Sequence, residues 1–327
     1  MTPAASVVMA VHNGEPYLAT AIHSILTQSF EDFEFIIVDD GSTDATPAIL
    51  AEHARLDSRV QVISPERHLG FTPALNVALS SSRSPFIVRQ DADDLSHPSR
   101  LETQFRAFSE NDHLGLVGSS YDVIDVDGNH LKTETLETSD TTLRWLGLFH
   151  NPFCHSAVMV RRDLIDRVGG YNEALAFSQD FDLWARIMPY TRVANLEAPL
   201  VSWRTHPHAI STRRRVQQQR ISDEISARQM AALLKVEKVT LSEVEVLRRL
   251  VHGHDDGIIE EHKAAALSLL RRLFSAFEKT LDITDCERSR LVGLGLIFPS
   301  TRETLMERVW RKASNHLPLG RKGRFID

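Results

Sequence analysis

Cysteine is nearly absent. Cys154 and Cys286 are the two in 327 residues, far apart and outside any CxxC, which excludes a disulfide framework and a cysteine-rich zinc site and fits a reducing compartment. Long apolar runs are missing too. No stretch approaches the roughly 18 residues of a membrane span, and the amino terminus has neither the basic segment nor the apolar core and cleavage site of a secretory signal. The expectation is a cytoplasmic protein that at most visits the inner face of the membrane. Positive charge is in deficit: 37 Lys and Arg against 44 Asp and Glu leave a net charge of -7. That argues against a nucleic-acid binder, whose affinity comes from cations reaching phosphates. A phosphorylated substrate would need local cations or a metal. Finally, no GxGxxG follows the first strand-like run; the turn reads His12-Asn13-Gly14-Glu15. Without glycines to let the backbone approach a pyrophosphate, a dinucleotide-dependent dehydrogenase is disfavoured.

What is present is an ordinary globular composition, 42% hydrophobic and 25% charged, in a chain longer than one modest core, so two domains are expected. In the first half, β-branched runs alternate with helical patterns, the arrangement of a Rossmann-like, mainly parallel sheet with flanking helices. Strands are expected at Ser6 to Val11, Glu34 to Val38, Val60 to Ile63, Phe86 to Arg89, Leu114 to Val117 and Ala157 to Val160. Val123 to Gly128 reads as a further strand running into an Asp-Gly hairpin turn. Helices are expected from Pro16 to Gln28, after Gly41-Ser42-Thr43-Asp44, around Pro73 to Leu79 and from Ser178 to Met188. Beyond Ser211 a polar run opens with Arg213-Arg214-Arg215, and helical patterns then dominate. The expected division is a catalytic domain over 1–212 and a helical region over 213–327.

The strongest local signal is Asp91-Ala92-Asp93-Asp94, where a buried strand ends in three crowded acids. Open parallel sheets bind ligands beyond that edge. Such carboxylates repel unless a cation neutralises them, and Mg²⁺ or Mn²⁺ commonly bridges one or two carboxylates to substrate phosphates. Read locally, the same letters also describe a solvated turn capping the next helix. The second signal is Val38-Asp39-Asp40-Gly41-Ser42, again acids directly after a buried strand, able to accept hydrogen bonds from a base or ribose or to serve only as turn and cap.

Taken together, residues 6 to 14, Ser24 to Phe30, Val38 to Asp44 and Asp91 to Asp94 resemble, in order and spacing, the family 2 inverting glycosyltransferases. Asp163 to Asn172 and Gln179 to Trp184 extend the likeness to about residue 212. The resemblance implies the A-type (GT-A) glycosyltransferase fold, a nucleotide-sugar donor, usually a UDP-sugar, and a divalent metal. It implies that Ala10, His12 and Glu15 line the nucleoside pocket, that Asp40 accepts from the base, that Asp91 lies near ribose or metal, and that Asp93 is the main metal ligand. His206 in Trp203-Arg204-Thr205-His206 would complete the metal shell. Asp180 would be the catalytic base. The family typically has Glu before that Asp; here Gln179 replaces it, leaving an acceptor contact as its expected role. His155 falls where relatives build the acceptor pocket.

The chemistry of Asp180 can be argued without the likeness, because inversion at an anomeric carbon needs a base opposite the departing diphosphate. Trp184, four residues on, shares a helical face with Asp180 and is expected to form an apolar wall under a sugar, or else core. The acceptor is expected to be a glycan or lipid-linked sugar, with a nucleotide-sugar-binding pseudoenzyme or assembly scaffold as the rival reading. Arg308, Arg311, Lys312, Arg321, Lys322 and Arg324 form a basic tail, read either as solvated or as a peripheral contact with anionic lipid.

Overall fold

The computed structural model of the chain describes residues 2–206, 214–251 and 257–293. The boundary expected at 212/213 and the basic tail from Arg308 to Arg324 lie outside them. The described residues fall into two compact units, one formed by 2–140 with 151–206 and 214–221, and one by 141–150 with 222–251 and 257–293.

In the first unit the elements run β1 (Ala5–Val11), α1 (Glu15–Leu26), β2 (Phe33–Asp39), α2 (Thr46–Leu56), β3 (Val60–Ile63), α3 (Phe71–Ser81), β4 (Phe86–Arg89), β5 (Leu95–Ser96), α4 (Arg100–Glu110), β6 (Leu114–Ile124) and β7 (His130–Glu134). After α5 (Asp140–Leu146), which belongs to the second unit from Thr141 on, come β8 (Met159–Arg161), α6 (Arg162–Val168), α7 (Gln179–Ile187) and β9 (Arg192–Arg204). Every residue of β1 and β2 is buried, as their near-continuous apolar sequence requires of strands covered on both faces. Ala5, Val7, Met9 and Val11 on one face of β1 share a core with Leu18, Ala21, Ile22 and Ile25 of α1, the i, i+3, i+4, i+7 stripe of a packed helix. The turn into α1 needs Gly14, because a Cβ there would approach Val11 Cγ2 to 2.6 Å.

The sheet is mixed, in the order β3-β2-β1-β4-β8-β6-β9-β5, with β7 paired to β6. β1, β2, β3 and β4 run parallel, as does the β6–β9 pair, whereas β8 is antiparallel to both its neighbours and β5 is antiparallel to β9. The expectation of a mainly parallel sheet therefore holds for the first half only. The apolar runs at 114–117 and 157–160 mark strands, but such runs carry no direction. The return from β6 is the hairpin at Asp127-Gly128, which reverses the chain, with Gly128 at φ 87°. The strand expected at 114–117 and the first two residues of the one expected at 123–128 are a single strand, β6, which ends at Ile124.

The second unit holds α8 (Arg215–Leu234, whose first turns belong to the first unit), α9 (Leu241–Val251), α10 (Glu260–Leu281) and α11 (Asp285–Gly293). Its core gathers Leu247, Leu270, Leu273 and Phe277 around Trp145 and Phe149, so 141–150 is part of this core although it lies far upstream in the sequence. The Trp145 ring meets Phe149, Phe274 and Phe277 edge-on with centroids 5.1–5.4 Å away, a favoured aromatic geometry. No described helix is long and apolar enough to cross a membrane.

Candidate active site

A cleft of about 960 Å³ lies in the first unit and is lined by the residues that follow β1, β2 and β4, by 151–156, by the start of α7 and by the end of β9. Strands that stop in register place those loops together: Val11 pairs with Asp39, and Val8 with Arg89. The chain turns sharply at Gly41, with φ 76°.

At one end of the cleft Asp40, 2% exposed, accepts from the backbone N–H of Leu69 at 2.6 Å and of Gly70 at 2.9 Å. Its carbonyl accepts from Nδ1 of His12 at 2.9 Å and of His68 at 2.7 Å, and the two imidazoles stand 4.8 Å apart. Asp40 thus braces the loop that opens α3 and holds two rings at the cleft wall. Ala10, His12 and Asp40 line the cleft; Glu15 does not. Its carboxylate instead accepts from Ala45 N–H at 3.3 Å, where it meets the start of α2.

The acidic motif is held by two buried arginines. Arg89, 2% exposed, pairs with Asp91 and donates to Val8 O at 3.2 Å and to His155 Nε2 at 3.2 Å. Arg100 donates to Ser96 Oγ at 2.8 Å and to Arg89 O at 2.9 Å, locking the strand end from beneath. Ser156 Oγ bridges Asp91, at 2.7 Å, and Asp94, while Asp94 also accepts from Arg204 N–H at 2.8 Å. Burial raises all three carboxyls. At Asp91 the charge of Arg89 and hydrogen bonding outweigh it, so that group stays below the ordinary range. For Asp93 burial and the Asp91 charge raise it; for Asp94 burial and the charges of Asp93 and Asp91 raise it well above. The motif therefore crowds more carboxylates than Arg89 alone compensates, and Asp93 is the one of the three whose side chain meets the His206 Nε2, at 3.0 Å. Asp93 and His206 offer an oxygen and an imidazole nitrogen on the cleft wall, and the proton between them is what a divalent cation would displace; this donor pair suits Mn²⁺ or Mg²⁺ completed by substrate oxygens. Both oxygens of Asp91 already have partners. Among the described residues no three His, Cys, Asp or Glu side chains are arranged to hold a metal by themselves. The Arg204 guanidinium serves the main-chain carbonyls of Asp93 at 2.9 Å and Asp125 at 3.0 Å.

Across the cleft, α7 starts after Ser178, held in the left-handed region with φ 54°. The turn aims Asp180 and Gln179 into the cleft. Asp180 Oδ2 accepts from Asn151 Nδ2 at 2.7 Å. Burial pushes its carboxyl up to about 6, with the Asp91 charge acting in the same sense against hydrogen bonds from Phe181 and Asn151. A carboxylate so tuned is suited to accept a proton near neutrality. Trp184 does not stand beside it as a wall. It is 1% exposed and packs edge-on to Phe153 and His155 at centroid distances of 6.3 and 6.2 Å. The face it shares with Asp180 one turn away points inward, under the segment 153–155. His155 does line the cleft, as a neutral ring: burial and the Arg89 charge bring its pKa down to about 3, and Tyr171 OH lies 2.9 Å from its Nε2.

Several residues of the site went unread in the sequence. Arg89 had a signal, because a cation inside a buried strand requires a partner. His68, Asn151 and Ser156 had none: each matters through a residue 28 or more positions away.

The model of glycosyl transferase family 2 matches residues 6–169. The chain is 36% identical over 206 residues to the O-antigen biosynthesis glycosyltransferase WbnJ of Escherichia coli, covering 62% of this chain and 79% of that one. It is 30% identical over 220 residues to an uncharacterized glycosyltransferase of Haemophilus influenzae, covering 64% and 68%. Among solved structures it is similar to S. aureus TarS 1–349 in complex with UDP-GlcNAc, with a TM-score of 0.58 and 17% identity over 97% of this chain and 89% of that one. The TarS complex with UDP gives a TM-score of 0.57 over the same shares. The fold is accordingly GT-A-like, with a mixed sheet. On the extent of these matches, the chain is a glycosyltransferase belonging to glycosyl transferase family 2.

Proposed function

We propose that this enzyme transfers a sugar with inversion from a nucleoside diphosphate donor, a UDP-sugar, to a hydroxyl of a glycan or lipid-linked acceptor. The observation that carries the proposal is Asp180: a half-buried carboxylate on the cleft wall, with its pKa brought up to about 6, facing the same cleft as Asp40, Asp91 and Asp93. Ala10, His12, Asp40 and the loop at His68 would hold the nucleoside. Asp93 and His206 would hold a divalent metal, which when bound supplies positive charge to the departing diphosphate. Arg89 and Ser156 keep Asp91 oriented, so the motif does not rearrange as charge shifts toward the leaving group. Asp180, ionised and oriented by Asn151, takes the acceptor's hydroxyl proton as the glycosidic bond forms. His155, kept neutral, does not compete as an acid.

Stereochemistry tests the proposal. With a panel of UDP-α-sugars and simple glycoside acceptors, NMR of the product should show a β linkage. An α-linked product would rule out single displacement with Asp180 as base.

A further inference from the structure

With Trp184 buried, the aromatic surface available to a sugar lies elsewhere in the cleft. Trp203 of β9 and Tyr121 of β6 stand on neighbouring parallel strands, Tyr121 opposite Val201 and Val123 opposite Trp203. Their rings meet edge-on with centroids 6.4 Å apart, and both half-buried side chains line the cleft together with Leu136 and Phe153. Phe153 is tied to the catalytic side chain through Asn151, since Phe153 N–H donates to Asn151 Oδ1 at 3.2 Å while Asn151 Nδ2 donates to Asp180, and Asp180 lines the same cleft as Trp203 and Tyr121. None of these four residues belongs to the elements proposed to hold the nucleoside.

We infer that Trp203 and Tyr121, with Leu136, form the acceptor subsite, and that its occupant is an uncharged pyranose ring stacked by its C–H face on Trp203. The inference rests on the reading of Asp180 as base, and it adds the class of acceptor.

Charge selects against an anionic acceptor. The cleft lining contains Asp40, Asp91, Asp93 and Asp180, and among the described residues Arg204 is the one Lys or Arg on it. That guanidinium is committed to the carbonyls of Asp93, Asp125 and Val126 and lies over the Tyr17 ring at 4.6 Å. A uronate or a phosphodiester polymer would enter beside carboxylates without a free cation to meet it. A neutral sugar has what the wall offers: an apolar face for the indole, and hydroxyls for the few polar groups at its rim. Gln179, neutral where the family typically has Glu, is 7% exposed and on the cleft; its amide can both donate to and accept from a hydroxyl. Burial holds the Tyr121 phenol above its ordinary range, so its O–H is a donor at neutral pH.

The test uses the full chain with UDP and Mn²⁺ and reads direct binding of small glycosides by saturation-transfer NMR. The probes are methyl β-glucopyranoside, methyl β-galactopyranoside, methyl glucuronide and glycerol phosphate. A neutral pyranoside should bind with strongest saturation at its axial ring protons, and better than either anion. Trp203→Ala should weaken that binding about tenfold or more, an aromatic contact of ordinary size, with far less change in UDP affinity. Trp203→Tyr should restore most of it, which separates lost stacking from a damaged fold. Preferential binding of glucuronide or glycerol phosphate, equal pyranoside affinity in Trp203→Ala, or no pyranoside binding by the UDP-loaded chain would each overturn the inference. Transfer that survives Asp180→Asn while pyranosides still stack on Trp203 would instead remove the base and leave the subsite standing.

Discussion

Replacing Asp180 by Asn should slow transfer by ~10²–10⁴-fold and at the same time stabilise the fold at neutral pH. The ordinary carboxyl value is 3.8 and the folded one is about 6. A raised value means the folded chain holds its proton after the unfolded chain has lost it, so stability is fully present below about pH 4, declines between about 4 and 6, and is flat above. A rise of that size corresponds to about 3 kcal/mol at 1.36 kcal/mol per pH unit; partial access of solvent to the side chain brings the expectation to about 1–3 kcal/mol. The amide keeps an oxygen to accept from Asn151 and Phe181, so the neutral state loses little. Calorimetric unfolding of both proteins from pH 4 to 8 should give nearly equal midpoints at pH 4 and a variant higher by several degrees at pH 8, at roughly 2–4 °C per kcal/mol for a unit of this size. The acidic limb of kcat/KM in the unsubstituted enzyme should fall at about pH 6 in the same experiment's buffers. A constant difference in midpoint across the range, or a variant less stable at pH 8, would refute the account of Asp180 as a half-buried, destabilised carboxylate.

Arg89→Met should cost about 3–5 kcal/mol, because it leaves Asp91 uncompensated beside Asp93 and Asp94; denaturant titration checks this, and adding Asp91→Asn should recover part of the loss. A 1–212 fragment should aggregate on expression, since it keeps Trp145 and Phe149 but removes the helices that bury them; a monodisperse fragment in size-exclusion chromatography would contradict that. UDP should raise the unfolding midpoint far more with Mn²⁺ than with a chelator, because Asp91, Asp93 and Asp94 repel one another without a cation; equal shifts would remove the metal from the account.

The parts of the site legible in the sequence are those where chemistry and secondary structure coincide locally. Asp40, Asp91 and Asp93 follow buried strands, and Asp180 opens an amphipathic helix, so residue type and place are both visible in a few letters. Strand direction was not legible: the run Ala157–Val160 is as apolar as β1, and the antiparallel setting of β8 between β4 and β6 is decided by where the chain re-enters. Side-chain direction failed similarly at Trp184, where helical spacing gives the face but not what covers it. Glu15 has the spacing of a cleft residue, yet Ala45 N–H, 30 positions away, takes its carboxylate. The helical core closes on Trp145 and Phe149 from a segment upstream, a contact no composition change announces.

A metal ligand and a general base fail differently when each carboxylate becomes an amide, and that contrast tests the central assignment most directly. Calorimetry of UDP binding with and without Mn²⁺ is run on Asp93→Asn and Asp180→Asn alongside sugar-transfer rates. Asp93→Asn should lose metal-dependent UDP affinity and turnover together. Asp180→Asn should bind UDP as the unsubstituted enzyme does and transfer ~10²–10⁴-fold more slowly. Metal-dependent UDP binding lost from Asp180→Asn and retained by Asp93→Asn would contradict both roles at once.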